Sequence, residues 1–137
     1  MRTRLLTFAA VALGAVIALR SAPALAHHSF AAEFDAEKPI KLTGAVMQID
    51  WTNPHVWFYI NVKNEAGRME RWAWEMGAPH QLQQRGWLRE TMKVGDIVTV
   101  EGSLARDGSK RANARLVTTA DGRTLGAASS GDPTTRQ

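Results

Sequence analysis

The chain has no cysteine among its 137 residues. That absence removes disulfide bridges, a thiolate nucleophile and any zinc-thiolate centre together. Past Ala26 there is also no long apolar run, so no later segment is suited to spanning a bilayer, which takes about 20 apolar residues. An excess of one charge is missing too once the first residues are set aside. Of 17 Lys and Arg, Arg2, Arg4 and Arg20 precede Ala26, leaving 14 basic against 13 acidic groups and a net charge of +1 in place of +4. The high pI of about 10.0 therefore comes largely from the leader, and a nucleic-acid partner is not expected. "GDIVTVEG" has glycines at the wrong spacing for a phosphate loop, and Ser29, though beside a histidine, stands in no strained nucleophile turn. Glu75 and Asp50 show no recognisable acid/base pairing, so the sequence gives catalysis little support.

What is present begins with the leader. Arg2 and Arg4 give a positive start, Leu5 to Leu19 is an almost unbroken apolar run, and Ala24-Leu25-Ala26 puts small residues where signal peptidase needs them. This predicts a signal peptide over residues 1–26, cleavage after Ala26, a periplasmic location and no membrane anchor after cleavage. The mature chain would begin at His27 and is long enough for one domain with one modest core.

Residues 27–39 carry Glu33, Asp35 and Glu37 without a clear period and read as an extended N-terminal arm. A β-barrel domain is expected over 40–125. "IKLTGAVMQIDW" is a strand that should bend or bulge at Gly44. In "HVWFYINV" a period of two puts Val56, Phe58, Ile60 and Val62 on one face and Trp57, Tyr59 and Asn61 on the other. "NEAGR" makes a hairpin connection, and "MERWAWEM" alternates again, with Trp72, Trp74 and Met76 on one side and Arg71, Ala73 and Glu75 opposite. Pro79 opens a short helix at about 79–85 that Gly86 stops, and two further strands follow in "VGDIVTVEG" and "RANARLVTT". Residues 126–137 hold too little apolar content to order themselves and are expected to form a disordered tail. Three strands, a short helix and two more strands give an all-β class with one short helix, in the element order of a five-stranded OB-like barrel.

The set "AHHSF" after a signal peptide, "WTNPHVWF", "WAWEMGAP", "GDIVTVEG" and "DGSKRANAR" resembles a family of small secreted bacterial proteins described as a domain of unknown function. The resemblance covers nearly the whole mature chain. It implies export and a small β-rich domain, and it brings no activity with it.

The remaining chemistry lies in the four histidines. Cleavage after Ala26 would free the α-amine of His27, which closes a six-membered chelate ring on a metal ion with Nδ1 of the same residue. Amine and imidazole titrate near 7.7 and 6.5, roughly, so both become neutral nitrogen ligands at little proton cost. A nitrogen-rich site suits Cu(II), the tightest-binding first-row divalent ion. His28 or His55 would add a third nitrogen. His28 neighbours His27 in an extended arm and so points the opposite way, whereas His55 sits in the proline-preset turn "WTNPH". His80 falls in a helical first turn, where a polar residue is expected anyway. The expected function is copper binding for sequestration, delivery or sensing. The alternative is a non-metal binding module whose Trp57 and Tyr59 face holds a small ligand, a glycan or a partner protein. Aromatic residues in strands also pack across the sheet, and that role competes for both.

Overall fold

The computed structural model describes residues 30–131. The leader, His27, His28 and residues 132–137 lie outside the described residues. The elements are α1 (Phe30–Glu33), β1 (Phe34–Asp50), β2 (Trp57–Lys63), β3 (Met69–Glu75), α2 (Pro79–Gln84), β4 (Ile97–Ala105), β5 (Arg111–Thr118) and β6 (Thr124–Gly126). No helix among the described residues is long and apolar enough to cross a membrane.

The strands close into a ring. β1 pairs antiparallel with β2 along Ala45–Asp50 and with β4 along Phe34–Ala45, so one long strand serves both halves. β2 and β3 form a continuous hairpin from Trp57↔Glu75 to Lys63↔Met69. β4 pairs antiparallel with β5, and a parallel pairing of Ala73–Glu75 with Arg111–Asn113 closes β3 onto β5. The ring order β1-β2-β3-β5-β4 is the five-stranded OB-like barrel expected from the element order, and closure leaves its five strands no free edge. β6 adds to the outside of β5.

The two-residue period sorts the side chains as expected. Val56, Phe58, Ile60, Val98 and Val100 are all buried, and Trp74 of β3 and Met76 just past its end join them. Phe58 stacks on Trp74 with ring centroids 6.4 Å apart. Burial of such a side chain contributes about 1.5–3 kcal/mol, and this inner layer holds the barrel. α2 plugs one end with Leu82, followed by Trp87 and Met92. Its entry is fixed by Pro79 at the first helical position and by the Gln81 side chain, which accepts a bond from the Ala78 N–H at 3.2 Å. Trp87 ties the end to β6 by donating to the Gly126 carbonyl at 2.9 Å.

Three boundaries differ from the sequence reading. The arm assigned to 27–39 is, from Phe30, a helical turn and then the start of β1. Phe34 is buried and pairs with Ala105, while a register shift before Pro39 accommodates the acidic residues between. The irregularity in β1 falls between Val46 and Gln48 and not at Gly44. Gly44 is needed for close approach, since a Cβ there would sit 2.3 Å from the Asn61 carbonyl oxygen. The predicted disordered tail is ordered as far as Gly131, with Ala127, Ala128 and Ser129 buried. Small side chains gave no hydropathy signal, yet they let this segment lie tight against the barrel. A Cβ on Gly77 would stand 2.1 Å from the Ala128 carbonyl oxygen, and Ser129 Oγ donates to Asn113 Oδ1 at 2.7 Å.

Candidate functional site

Both ends of the described chain converge on the outer face of the β3–β5 seam. Phe30 stacks on Phe34 with centroids 5.9 Å apart, and a Cβ on Gly131 would lie 2.8 Å from the Phe30 ring. Beneath them lie Glu75 and Asn113, register partners on β3 and β5, both buried although their strands point them away from the core. The covering segments explain that burial.

His55 stands at the edge of this roof. The hairpin register places it diagonally across from Glu75 on the same face. Its Nδ1 donates to Glu75 Oε1. The two ends of that contact differ in exposure, 36% for the His55 side chain and 8% for Glu75, so the imidazole reaches solvent while its partner does not. Burial raises the Glu75 carboxyl above its ordinary value and nearby Glu33 adds to the rise, with His55 and Arg111 pulling the other way. Glu33 in turn lies 3.9 Å from Arg111, which also binds Asp107 at 3.1 Å.

Two concavities meet at His55. A pocket of about 130 Å³ is lined by Phe30, Glu33, Phe34, Pro54, His55, Trp57, Glu75 and Ser130. A cleft of about 420 Å³ continues on the other side, sharing Pro54, His55 and Ser130 and bounded further by Gly77, Ala78, His80, Gln81 and Ala128. In a neutral imidazole, Nδ1 donating to a carboxylate leaves Nε2 as the acceptor, the arrangement common behind metal-bound histidines. No three His, Cys, Asp or Glu side chains among the described residues converge to hold a metal ion. A metal on His55 with three or more ligands therefore needs at least one donor from outside those side chains.

The other sequence candidates are dispersed. Trp57 forms a wall of the smaller pocket. Tyr59 does not join it: the Arg71 guanidinium covers its ring at 4.5 Å, and Arg71 also donates to Gln48 at 2.6 Å. Partial burial, then Asp50, pushes the Tyr59 phenol above its ordinary value. Of the Trp57 and Tyr59 face, Trp57 alone lines this pocket. Glu75, given no pairing in the sequence, is the residue that reading missed, and the hairpin register was the signal that would have found it.

A family model described as a family of unknown function, DUF6152, matches residues 15–114. The chain belongs to that family. The DUF6152 match takes in His27, His28, His55, Glu75 and His80 and stops within β5, so the segment that roofs Glu75 from the C-terminal side lies beyond it. No curated protein matches the chain. Among solved structures, the mitochondrial single-stranded DNA binding protein of S. cerevisiae is similar at 13% identity and a TM-score of 0.48, over 60% of this DUF6152 chain and 92% of that one. A likeness at that level says nothing of ligands.

Proposed function

We propose that this chain is an exported periplasmic binding protein that holds copper, with the freed amine and Nδ1 of His27 as the primary chelate and His55 as its partner across the turn. His28 is the further candidate on the N-terminal side. The role is sequestration, delivery or sensing of the metal.

The observation that supports this reading is the shared pocket of Phe30 and His55. An extended chain covers at most about 3.6 Å per residue, so the three residue steps from His27 to Phe30 span no more than roughly 11 Å. That short tether links a donor at His27 to a pocket that His55 also lines. The donors are all nitrogen, which favours Cu(II) over hard cations such as Mg(II) or Ca(II).

The test compares protein with an authentic His27 start against the same chain carrying one additional N-terminal methionine. Isothermal titration with Cu(II) should give near one ion per authentic chain and far weaker binding for the extended form. The extension keeps every side chain and abolishes the amine-imidazole ring. Equal affinities would overturn the reading in favour of a non-metal ligand at the pocket walled by Trp57.

A further inference from the structure

The smaller pocket at His55 joins aromatic rings to carboxylates. Its walls include Phe30 and Phe34, stacked with centroids 5.9 Å apart, and Trp57, with Pro54 as a further apolar wall. Trp57 and Glu75 are direct partners across the β2–β3 hairpin, so indole and carboxylate stand side by side on one face, their Cβ atoms about 4.5–5.5 Å apart. Glu33, at the end of α1, adds a second carboxylate.

The charges there do not balance. No lysine or arginine lines the pocket. Arg111 lies 3.9 Å from Glu33 but is shared with Asp107, which it meets more closely at 3.1 Å. Glu75 is buried and accepts from His55, an imidazole that is charged only if protonated. It has no other hydrogen-bond partner among the described residues. Burial above all, with Glu33 adding to it, raises the Glu75 carboxyl above its ordinary value. A buried carboxylate short of positive charge is costly, and a cation in the pocket would offset that cost.

The remaining walls select the kind of cation. A metal ion needs several donor atoms, and no three His, Cys, Asp or Glu side chains among the described residues converge on one. A primary ammonium is strongly hydrated and would meet hydrocarbon from Phe30, Phe34, Pro54 and Trp57. A methylated ammonium needs no hydrogen bond and is attracted to the faces of aromatic rings. The volume of about 130 Å³ matches about four waters at roughly 30 Å³ each, room for a trimethylammonium headgroup. The larger cleft, which shares Pro54, His55 and Ser130, takes the rest of the molecule.

We propose that this pocket binds a methylated ammonium group, with Phe30, Phe34 and Trp57 as its cage and Glu33 and Glu75 as its counter-charges. The site asks nothing of His27 or of a metal, so it goes beyond the copper reading and stands or falls apart from it.

The test is calorimetric titration of the full mature chain, in excess EDTA, with choline chloride and with its uncharged tert-butyl analogue. Choline should bind near one per chain, and the analogue at least about tenfold more weakly, since a unit charge at about 4 Å is worth more than that factor at a surface dielectric near 20. Absence of choline binding, or equal binding of the two, would overturn the proposal without touching the copper titration. Glu75→Gln keeps an acceptor for His55 and removes the charge, so it should lose at least about tenfold. Glu37→Gln, the same charge change at an exposed position outside the pocket, should match the parent. Equal loss in both would overturn the site by tracing binding to net charge. Trp57→Leu should also weaken choline, and unchanged affinity in that variant would overturn the cage. Co-sedimentation with phosphatidylcholine vesicles would support a lipid headgroup as the source, whereas choline binding without it would support a free solute.

Discussion

His55 on the turn before β2 and Glu75 at the end of β3 form a hydrogen-bonded pair in which the carboxylate is buried and the imidazole reaches solvent. Each is placed by the other's strand, since the register Trp57↔Glu75 sets them diagonally on one face. The roof of Phe30 and Gly131 then removes water from the carboxylate side alone. The result is an oriented imidazole with one nitrogen fixed and the other free.

Replacing Glu75 with Gln should keep the fold and, on the proposed copper reading, weaken metal binding. The amide oxygen can still accept from His55 Nδ1, so the unfolding free energy should change by less than about 1 kcal/mol. If His55 holds Cu(II) as proposed, the charge that makes Nε2 a better donor is lost and the affinity should fall by about 10–100-fold. Chemical denaturation and metal titration on the same sample check both halves.

Phe58→Ala tests the barrel interior. Phe58 is fully buried against Trp74, so the truncation should destabilise by about 3–5 kcal/mol. Urea unfolding followed by tryptophan fluorescence measures it, and a loss under about 1 kcal/mol would reverse the assignment of faces on β2.

Gly77→Ala tests the roof. The added methyl meets the Ala128 carbonyl oxygen at 2.1 Å, a backbone atom that cannot swing aside. The C-terminal segment should lift, with a cost of about 1–3 kcal/mol. Hydrogen exchange should then quicken at Ala127, whose N–H donates to the Arg115 carbonyl at 2.9 Å in the native chain.

Asp121 gives the pH prediction. Its carboxyl accepts from Thr119 Oγ1 at 2.5 Å and from Arg123 Nε at 2.7 Å, and these bonds, Thr119 first, lower its pKa from 3.8 to about 2. A depressed acid favours the folded form when ionised. The stabilisation of the β5–β6 turn is therefore complete above the ordinary value of 3.8 and is lost as the pH falls through about 2. Carboxyl NMR should place the Asp121 titration near that value, and Asp121→Asn should abolish the low-pH change.

Much of this molecule was legible in its residues. The period of two in "HVWFYINV" and "MERWAWEM" was enough to assign Phe58, Ile60 and Trp74 to the interior, because a pleated strand turns alternate side chains to opposite faces. Pro79 and Gly86 bracketed α2 for the local reason that one presets a helical φ and the other readily adopts the positive φ of 86° found there. Those are properties of neighbours in sequence. The ordering of Ala127 to Ser129, the burial of Glu75 and its meeting with His55 are of another kind. Each depends on which surface a distant segment covers, and small or polar residues carry no hydropathy signal for that. Sequence alone determined the five barrel strands, α2 and the inward faces. Only the closure of β3 onto β5, with both ends of the described chain folded across that seam, decided that a carboxylate on an outward face would lose its water and hold a histidine.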